Sequence, residues 1–280
     1  MLTSSGCDPL FGGFLPNPSP IPTSGSTQPI RIRRMKIGII GIGHIGSTLA
    51  RKLAANGHEV LVANSKGAVA VKDFAGEIGA TPADAQGAVD GADVVILSIP
   101  FPAISKIKTV IDSVPSTIPV IDTGNYYPDM RDPRIPEIDA GMVESVWVSQ
   151  QLGRPVIKAF NNILAYSLAE LGRSPGAPDR LAIAVAGDDA AHKRIAMEIV
   201  EEVGFDAVDA GTLEESWRQQ PSTPVYCCDW NAAETRDALA AAQIGAAIVK
   251  RDRLPEMFAK LGANPTHEKI IAANRQANAV

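Results

Sequence analysis

The chain has 280 residues, 45% of them hydrophobic, which suits a folded protein with a substantial core. Its formal net charge of −5 offers no basic field for nucleic acid, and no apolar stretch approaches the length of a membrane span, so neither kind of partner is expected. Cys7, Cys227 and Cys228 show neither C-x-x-C nor metal spacing, so no metal site is expected and the thiols read as free in a reducing cytoplasm.

Residues 1–34 read apart from the rest. Pro16, Pro18, Pro20, Pro22 and Pro29 alternate with small polar residues, so we expect a disordered Pro-rich tail, or an over-extended reading frame with the fold starting at Met35. A charged start followed by an apolar run is missing, so a secretory signal is not expected there. Arg31, Arg33 and Arg34 read as solvated charges.

Ile37 to Ile40 is a short apolar run, as in a strand buried on both faces. Gly41, Gly43 and Gly46 follow in G-x-G-x-x-G order. Ile45, Leu49 and Leu53 then recur at helical spacing until Asn56-Gly57. A second strand, Glu59–Ala63, returns directly. Strand, glycine turn, helix and strand make the unit that binds a dinucleotide. Gly41 allows the turn, Gly43 admits a pyrophosphate to the backbone and Gly46 lets the helix lie close, with its first N–H groups facing the phosphates.

Further along, a helix is expected to about Gly79 and a short one around Asp84–Val89. A third strand covers Asp93–Ile99 and a fourth Pro119–Thr123, followed by a long loop to about Pro136. A helix around Val143–Leu152 leads to a fifth strand, Pro155–Phe160. Strands six and seven are Leu181–Ala186 and Phe205–Val208, flanking a helix with Asp188 as its N-cap. The remainder reads as helices over Asn231–Ala242, Ile244–Leu261 and from His267. The pattern predicts an α/β, Rossmann-type, doubly wound and mostly parallel sheet with a C-terminal helical extension. We divide it into a dinucleotide-binding domain over 35–160 and a part over 161–280 that completes the sheet and then turns helical.

The end of the second strand selects the nucleotide. An acid there would bind the ribose diol of NAD. Asn64, Ser65 and Lys66 stand there instead; a hydroxyl and an ammonium accept a 2′-phosphate, so NADP is expected. Ligands in such sheets bind beyond the carboxyl ends of the strands. That rule nominates Ser98, Ile99, Pro100 and Phe101, then Thr123, Gly124 and Asn125, then Asn161 and Asn162. Phe101 reads equally as a nicotinamide neighbour or as core, and Asn125 as a carboxamide ligand or a turn former.

The motifs Gly-Ile-Gly-His-Ile-Gly, Ala-Asn-Ser-Lys-Gly, Ser-Ile-Pro-Phe, Lys-Ala-Phe-Asn-Asn, Ala-Gly-Asp-Asp and Phe-Asp-Ala-Val-Asp-Ala-Gly, in this order, span roughly Met35 to Ala210. As a set they resemble the NADP oxidoreductases of the coenzyme F420-dependent family, which carry a pyrroline-5-carboxylate reductase-like dinucleotide-binding domain. The resemblance implies hydride transfer between NADP and a flavin or deazaflavin. It implies Ile42, Gly43, His44 and Ile45 as the pyrophosphate cradle, with Ser65 and Lys66 at the 2′-phosphate. Two departures stand out: Lys66 occupies a position that is commonly Arg in the family, and the helical tail after Leu213 is an addition.

Ring-to-ring hydride transfer needs little acid–base chemistry. No catalytic residue is therefore assigned, and His44, His58, His192 and His267 read as structural or exposed. A hydroxyacid or imine reductase is the alternative; it would need a proton donor, for which Lys158 with Asn161 and Asn162 is the candidate, although a strand-end lysine more often reads as surface charge. A non-catalytic NADP-sensing regulator is the alternative of another class. The expected partner is a small-molecule acceptor. Tyr126, Tyr127 and Trp217, with Arg131, Arg134 and Arg218, are expected to converge around it. Apolar residues Ile244, Ala247, Ile248, Met257 and Phe258 suggest a homodimer, with burial inside the monomer as the equal alternative.

Overall fold

The computed structural model describes residues 33–262 and 264–279. The expectations for the tail up to residue 32, Cys7 included, lie outside the described residues, as do the side chains of Met257 and Phe258.

The chain runs β1 (Lys36–Ile40), α1 (His44–Ala55), β2 (Glu59–Ala63), α2 (Lys72–Ile78), β3 (Thr81–Pro82), α3 (Ala85–Val89), β4 (Val94–Leu97), α4 (Lys108–Asp112) and β5 (Val120–Asp122). It continues through α5 (Pro136–Asp139), α6 (Glu144–Leu152), β6 (Ile157–Lys158), α7 (Ala165–Glu170), β7 (Ala182–Val185), α8 (Ala190–Glu202) and β8 (Asp206–Asp209). The C-terminal helices are α9 (Ala232–Ala241), α10 (Ala246–Arg251), α11 (Leu254–Leu261) and α12 (His267–Asn278).

Six strands form one parallel sheet ordered β3-β2-β1-β4-β5-β6. This is the order in which two mononucleotide-binding halves meet, with β1 beside β4 at the switch point. Side chains alternate between two cores. Ile37, Ile39, Val94 and Ile96 face the side covered by α1 and α8, while Val95, Leu97 and Val120 face α3, α4 and α6. All seven are at most 1% exposed, which is why the strands read as unbroken apolar runs. Gly38 carries no side chain because a Cβ there would lie 2.0 Å from Ala88 O, so α3 packs directly on β1.

The expected continuous sheet is interrupted. Lys158 and Ala186 exchange both backbone hydrogen bonds, at 2.8 and 3.0 Å, in a single antiparallel bridge that joins the β7-β8 pair to the edge of β6. Phe160, at φ 62, turns the chain out of the strand before a longer ladder can form. The N-cap of α8 is Asp189, which accepts from the N–H groups of Ala191 and His192, both at 2.9 Å. Asp188, the expected cap, instead accepts from Leu213 N at 2.9 Å. The expected helix over Ile244–Leu261 is two helices. Gly245 enters α10 at φ 79, and Pro255 in the first turn of α11 removes an N–H the helix would need to run on. Ile244 and Val249 are exposed, whereas Ala247 and Ile248 are half-buried. Asn274, Arg275 and Asn278 of α12 donate to the carbonyls of Tyr226, Cys227, Cys228 and Asp229, holding that segment where Cys227 and Asp229 have positive φ.

Candidate active site

The glycine turn begins where β1 ends. Gly41 has φ +100, and a Cβ on it would lie 2.2 Å from Ser98 O; on Gly46 it would lie 2.0 Å from Gly41 O. Both glycines therefore serve close backbone packing. Gly43 differs: nothing lies within 4 Å of its Cβ position. It is the N-cap of α1, and no side chain caps the helix there. The first-turn N–H groups and the positive end of a 12-residue helix thus face an open cradle that suits an anion. The residues present fit a dinucleotide pyrophosphate on this observation.

The cradle belongs to a cleft of about 680 Å³ lined from the carboxyl ends of β1, β2, β4 and β5. Of the residues singled out in the sequence, Gly41, Gly43, His44, Ile45, Asn64, Ser65, Ser98, Ile99, Pro100, Thr123, Gly124 and Asn125 line it. Ile42, Gly46 and Lys66 do not. Asn64 Oδ1 accepts from Lys66 N at 2.8 Å, closing a small side-chain turn that leaves Ser65 and Lys66 exposed at the rim. Sequence reading missed Ala85, Ala103, Lys106 and Ile107 as lining residues. Ile104 and Ile107, three apart beyond Pro102, signal the short 3-10 turns that carry Lys106 to the cleft.

Phe101 is fully buried, tilted against Tyr126 at 5.7 Å and stacked on Trp147 at 5.5 Å between ring centres. It is core, not a wall of the cleft. Asn161 and Asn162 are buried behind the rim. Asn161 Nδ2 donates to Asn125 Oδ1 at 3.1 Å, and Asn125 Nδ2 donates to Asn161 O at 2.9 Å. Arg131 donates to Asn125 O and to Asp132 Oδ2, and its guanidinium lies 5.1 Å from the centre of the Tyr127 ring.

The expected convergence of aromatic and cationic residues is partial. Arg131 alone of that set lines the cleft. Tyr126 is buried, Tyr127 hydrogen-bonds the Tyr226 hydroxyl, Arg134 pairs with Asp129 at 2.5 Å and Arg218 pairs with Glu215. Lys158 departs furthest from expectation. It is fully buried, 2.7 Å from the equally buried Asp122, and outside the cleft lining. Nearby, burial pushes the Glu144 carboxyl up to about 7, with Lys158 opposing the shift. Glu144 Oε2 accepts from Tyr126 N at 3.2 Å, while its Oε1 is buried without a partner.

Among the histidines, His44 lines the cleft. His58 pairs with Glu202 at 2.7 Å and His267 with Asp229 at 2.7 Å, and His192 Nε2 lies 3.0 Å from Thr117 O. Met35 N donates to His58 Nδ1, so Nε2 carries the proton given to Glu202. Among the described residues no helix is long and apolar enough to cross a membrane.

Residues 36–126 match the family model described as NADP oxidoreductase, coenzyme F420-dependent. Putative protein YjhV of Escherichia coli (strain K12) is 49% identical over 112 residues, covering 40% of this chain and 82% of that protein. A solved hypothetical protein, SMa0349 from Sinorhizobium meliloti, is 30% identical with a TM-score of 0.57, over 66% of this chain and 89% of that one. An imine reductase from Myxococcus stipitatus in complex with NADP+ shares the fold, with a TM-score of 0.50 at 14% identity, over 81% of this chain and 63% of that one. The glycine cradle, the strand order and these likenesses agree: the chain belongs to the family of NADP oxidoreductases described as coenzyme F420-dependent.

Proposed function

We propose that the protein is an NADPH-dependent reductase that passes a hydride to a flavin or deazaflavin-like acceptor. The carrying observation is the chemistry of the cleft wall. Ile40, Ile45, Ile99 and Ile107 supply apolar surface, Lys106 and Arg131 supply cations, and no Asp or Glu is among the described lining residues. Such a wall suits a polyanionic nucleotide and a flat ring with an acidic substituent. Bound NADPH supplies the hydride. In this reading the first-turn N–H groups of α1 hold the pyrophosphate, with Ile42, Gly43, His44 and Ile45 around it. Ser65 and Lys66 meet the 2′-phosphate, and Ser98 to Pro100 with Asn125 border the nicotinamide.

Carbonyl or imine reduction requires a proton donor at the acceptor carbon. Lys158 was the sequence candidate, and its ammonium is buried against Asp122 and Gly124 O. Ring-to-ring transfer asks instead for position, which rigid walls provide. The test is NADPH oxidation by the purified protein with FMN, FAD, a deazaflavin, ketoacids and cyclic imines. Turnover with a flavin-like acceptor is expected. Turnover confined to ketoacids or imines would overturn the reading.

A further inference from the structure

We infer that the buried Lys158–Asp122 pair is a positioning device for the hydride-transfer end of the cleft, gripping both polar groups of Gly124 so that the Thr123–Asn125 rim seats the nicotinamide ring. The inference rests on the proposed function for what occupies the cleft.

Asp122 and Lys158 are register partners on β5 and β6. Asp122 Oδ1 accepts from Gly124 N at 2.9 Å, and its Oδ2 takes the Lys158 ammonium at 2.7 Å. The same ammonium donates to Gly124 O. One ion pair thus fixes the N–H and the C=O of a residue that lines the cleft. A Cβ on Gly124 would come 3.0 Å from Asp122 Oδ1 and 3.3 Å from the Phe101 ring, so the clamp closes directly on backbone. Thr123 N and Oγ1 are tied to Leu97 O at 3.0 and 3.2 Å, and Asn125 is tied to Asn161. Each residue of the rim is held, and the centre of the rim is held by charge.

Location gives the clamp its role. β5 stands three strands from β2 in the sheet. At about 4.8 Å per strand, the Asn125 end lies about 14 Å across the sheet from the Ser65 end. With the 2′-phosphate at Ser65, the nicotinamide falls at the Gly124 end. A fully buried ion pair is a poor way to stabilise a fold, because apolar residues of similar volume often do as well. Its two charges here meet the polar groups of a single peptide segment facing the cleft. Lys158 reaches the cleft only through Gly124, so it acts by positioning.

The test uses the full-length protein and the variants Lys158→Met, Asp122→Asn and the double variant. Three readouts are taken: NADPH affinity by calorimetry, emission of the bound reduced nicotinamide, and NADPH oxidation with FMN as the probe acceptor. Each single variant leaves one buried charge unpaired and should melt lower, whereas the double variant should recover most of that loss. In the double variant NADPH affinity should stay within about threefold, because the glycine cradle is intact, while kcat falls about tenfold or more and the emission moves toward that of free NADPH. A double variant with wild-type emission and kcat would overturn the positioning role. Wild-type protein that fails to bind NADPH would defeat the proposed function instead. If FMN proves inert with every form, the emission shift decides alone.

Discussion

Gln219 Nε2 donates to Asn161 Oδ1 at 2.8 Å, and Asn161 Nδ2 passes the link to Asn125 Oδ1 at 3.1 Å. Asn161 Nδ2 also donates to Gln219 O at 2.7 Å, so the two residues hold each other through side chain and backbone. Gln219 ends the 3-10 turn Glu214–Gln219, 58 residues beyond Asn161, and it is fully buried. The segment after β8 is thereby fastened to the cleft rim by a ladder of amides.

Gln219→Ala should break that ladder. Removing the amide leaves Asn161 Oδ1 and Ala184 O without their donor. Unpaired buried acceptors cost about 1–3 kcal/mol each, so a fall in Tm of several degrees is expected by calorimetric melting. An unchanged Tm would mean that water replaces the amide without loss.

Glu144 predicts a pH dependence of stability. Its carboxyl is held up at about 7 by burial, against an ordinary 4.5. Between those values the folded chain keeps a proton that the unfolded chain has released. Stability therefore falls as pH rises from about 4.5 to 7, by on the order of 3 kcal/mol at most, and levels off above that range. Glu144→Gln removes the titration. The Tm of the variant minus that of wild type should grow more positive from pH 5 to pH 8. An equal difference at both pH values would count against a proton held on Glu144.

The glycine turn was legible in sequence because its logic is local: spacing, a strand before it and a helix after it. The two cores were legible for the same reason, since β1, β2 and β4 are buried on both faces. The Asp122–Lys158 pair was not. It depends on β5 lying beside β6 in a given register, which local pattern does not encode, and a lysine ending a strand looks like a solvated charge. Glu144 looks like an ordinary acid in the first turn of a helix until the 3-10 turn packs over it. β3 was missed because two residues, one of them Pro82, carry too little pattern to read. In the long loop after β5, sequence supplied the right residue types, but the ion pairs among Asp129, Asp132, Arg131 and Arg134 decided which of them turned to the cleft.

Cofactor selectivity is the third prediction. Ser65 lines the cleft where an acid would bind the NAD ribose, and Lys66 is exposed beside it. NADPH should bind more tightly than NADH by calorimetry. Lys66→Glu should weaken NADPH by about fivefold, near 1 kcal/mol, because an exposed charge acts through solvent, and should leave NADH within error. Equal affinity for both nucleotides in the wild-type protein would contradict the 2′-phosphate reading.

The last prediction separates two glycines of one turn. Gly43 has φ −68 and ψ −169, a conformation open to alanine, and its Cβ would point into empty space. Gly43→Ala should therefore fold with a Tm close to wild type. The new methyl would occupy the cradle, so NADPH affinity should fall about tenfold or more, at least 1.4 kcal/mol or so. Gly46→Ala should behave oppositely. Its methyl would lie 2.0 Å from Gly41 O and 3.0 Å from Ser98 Cβ, in backbone that cannot yield without moving α1 off the sheet. Overpacking of that kind should destabilise the fold by about 2–4 kcal/mol, with loss of binding following from loss of structure. Melting curves and NADPH titrations of both variants decide the matter. Normal NADPH binding by a well-folded Gly43→Ala protein would remove the pyrophosphate from the cradle and with it the placement of the whole nucleotide.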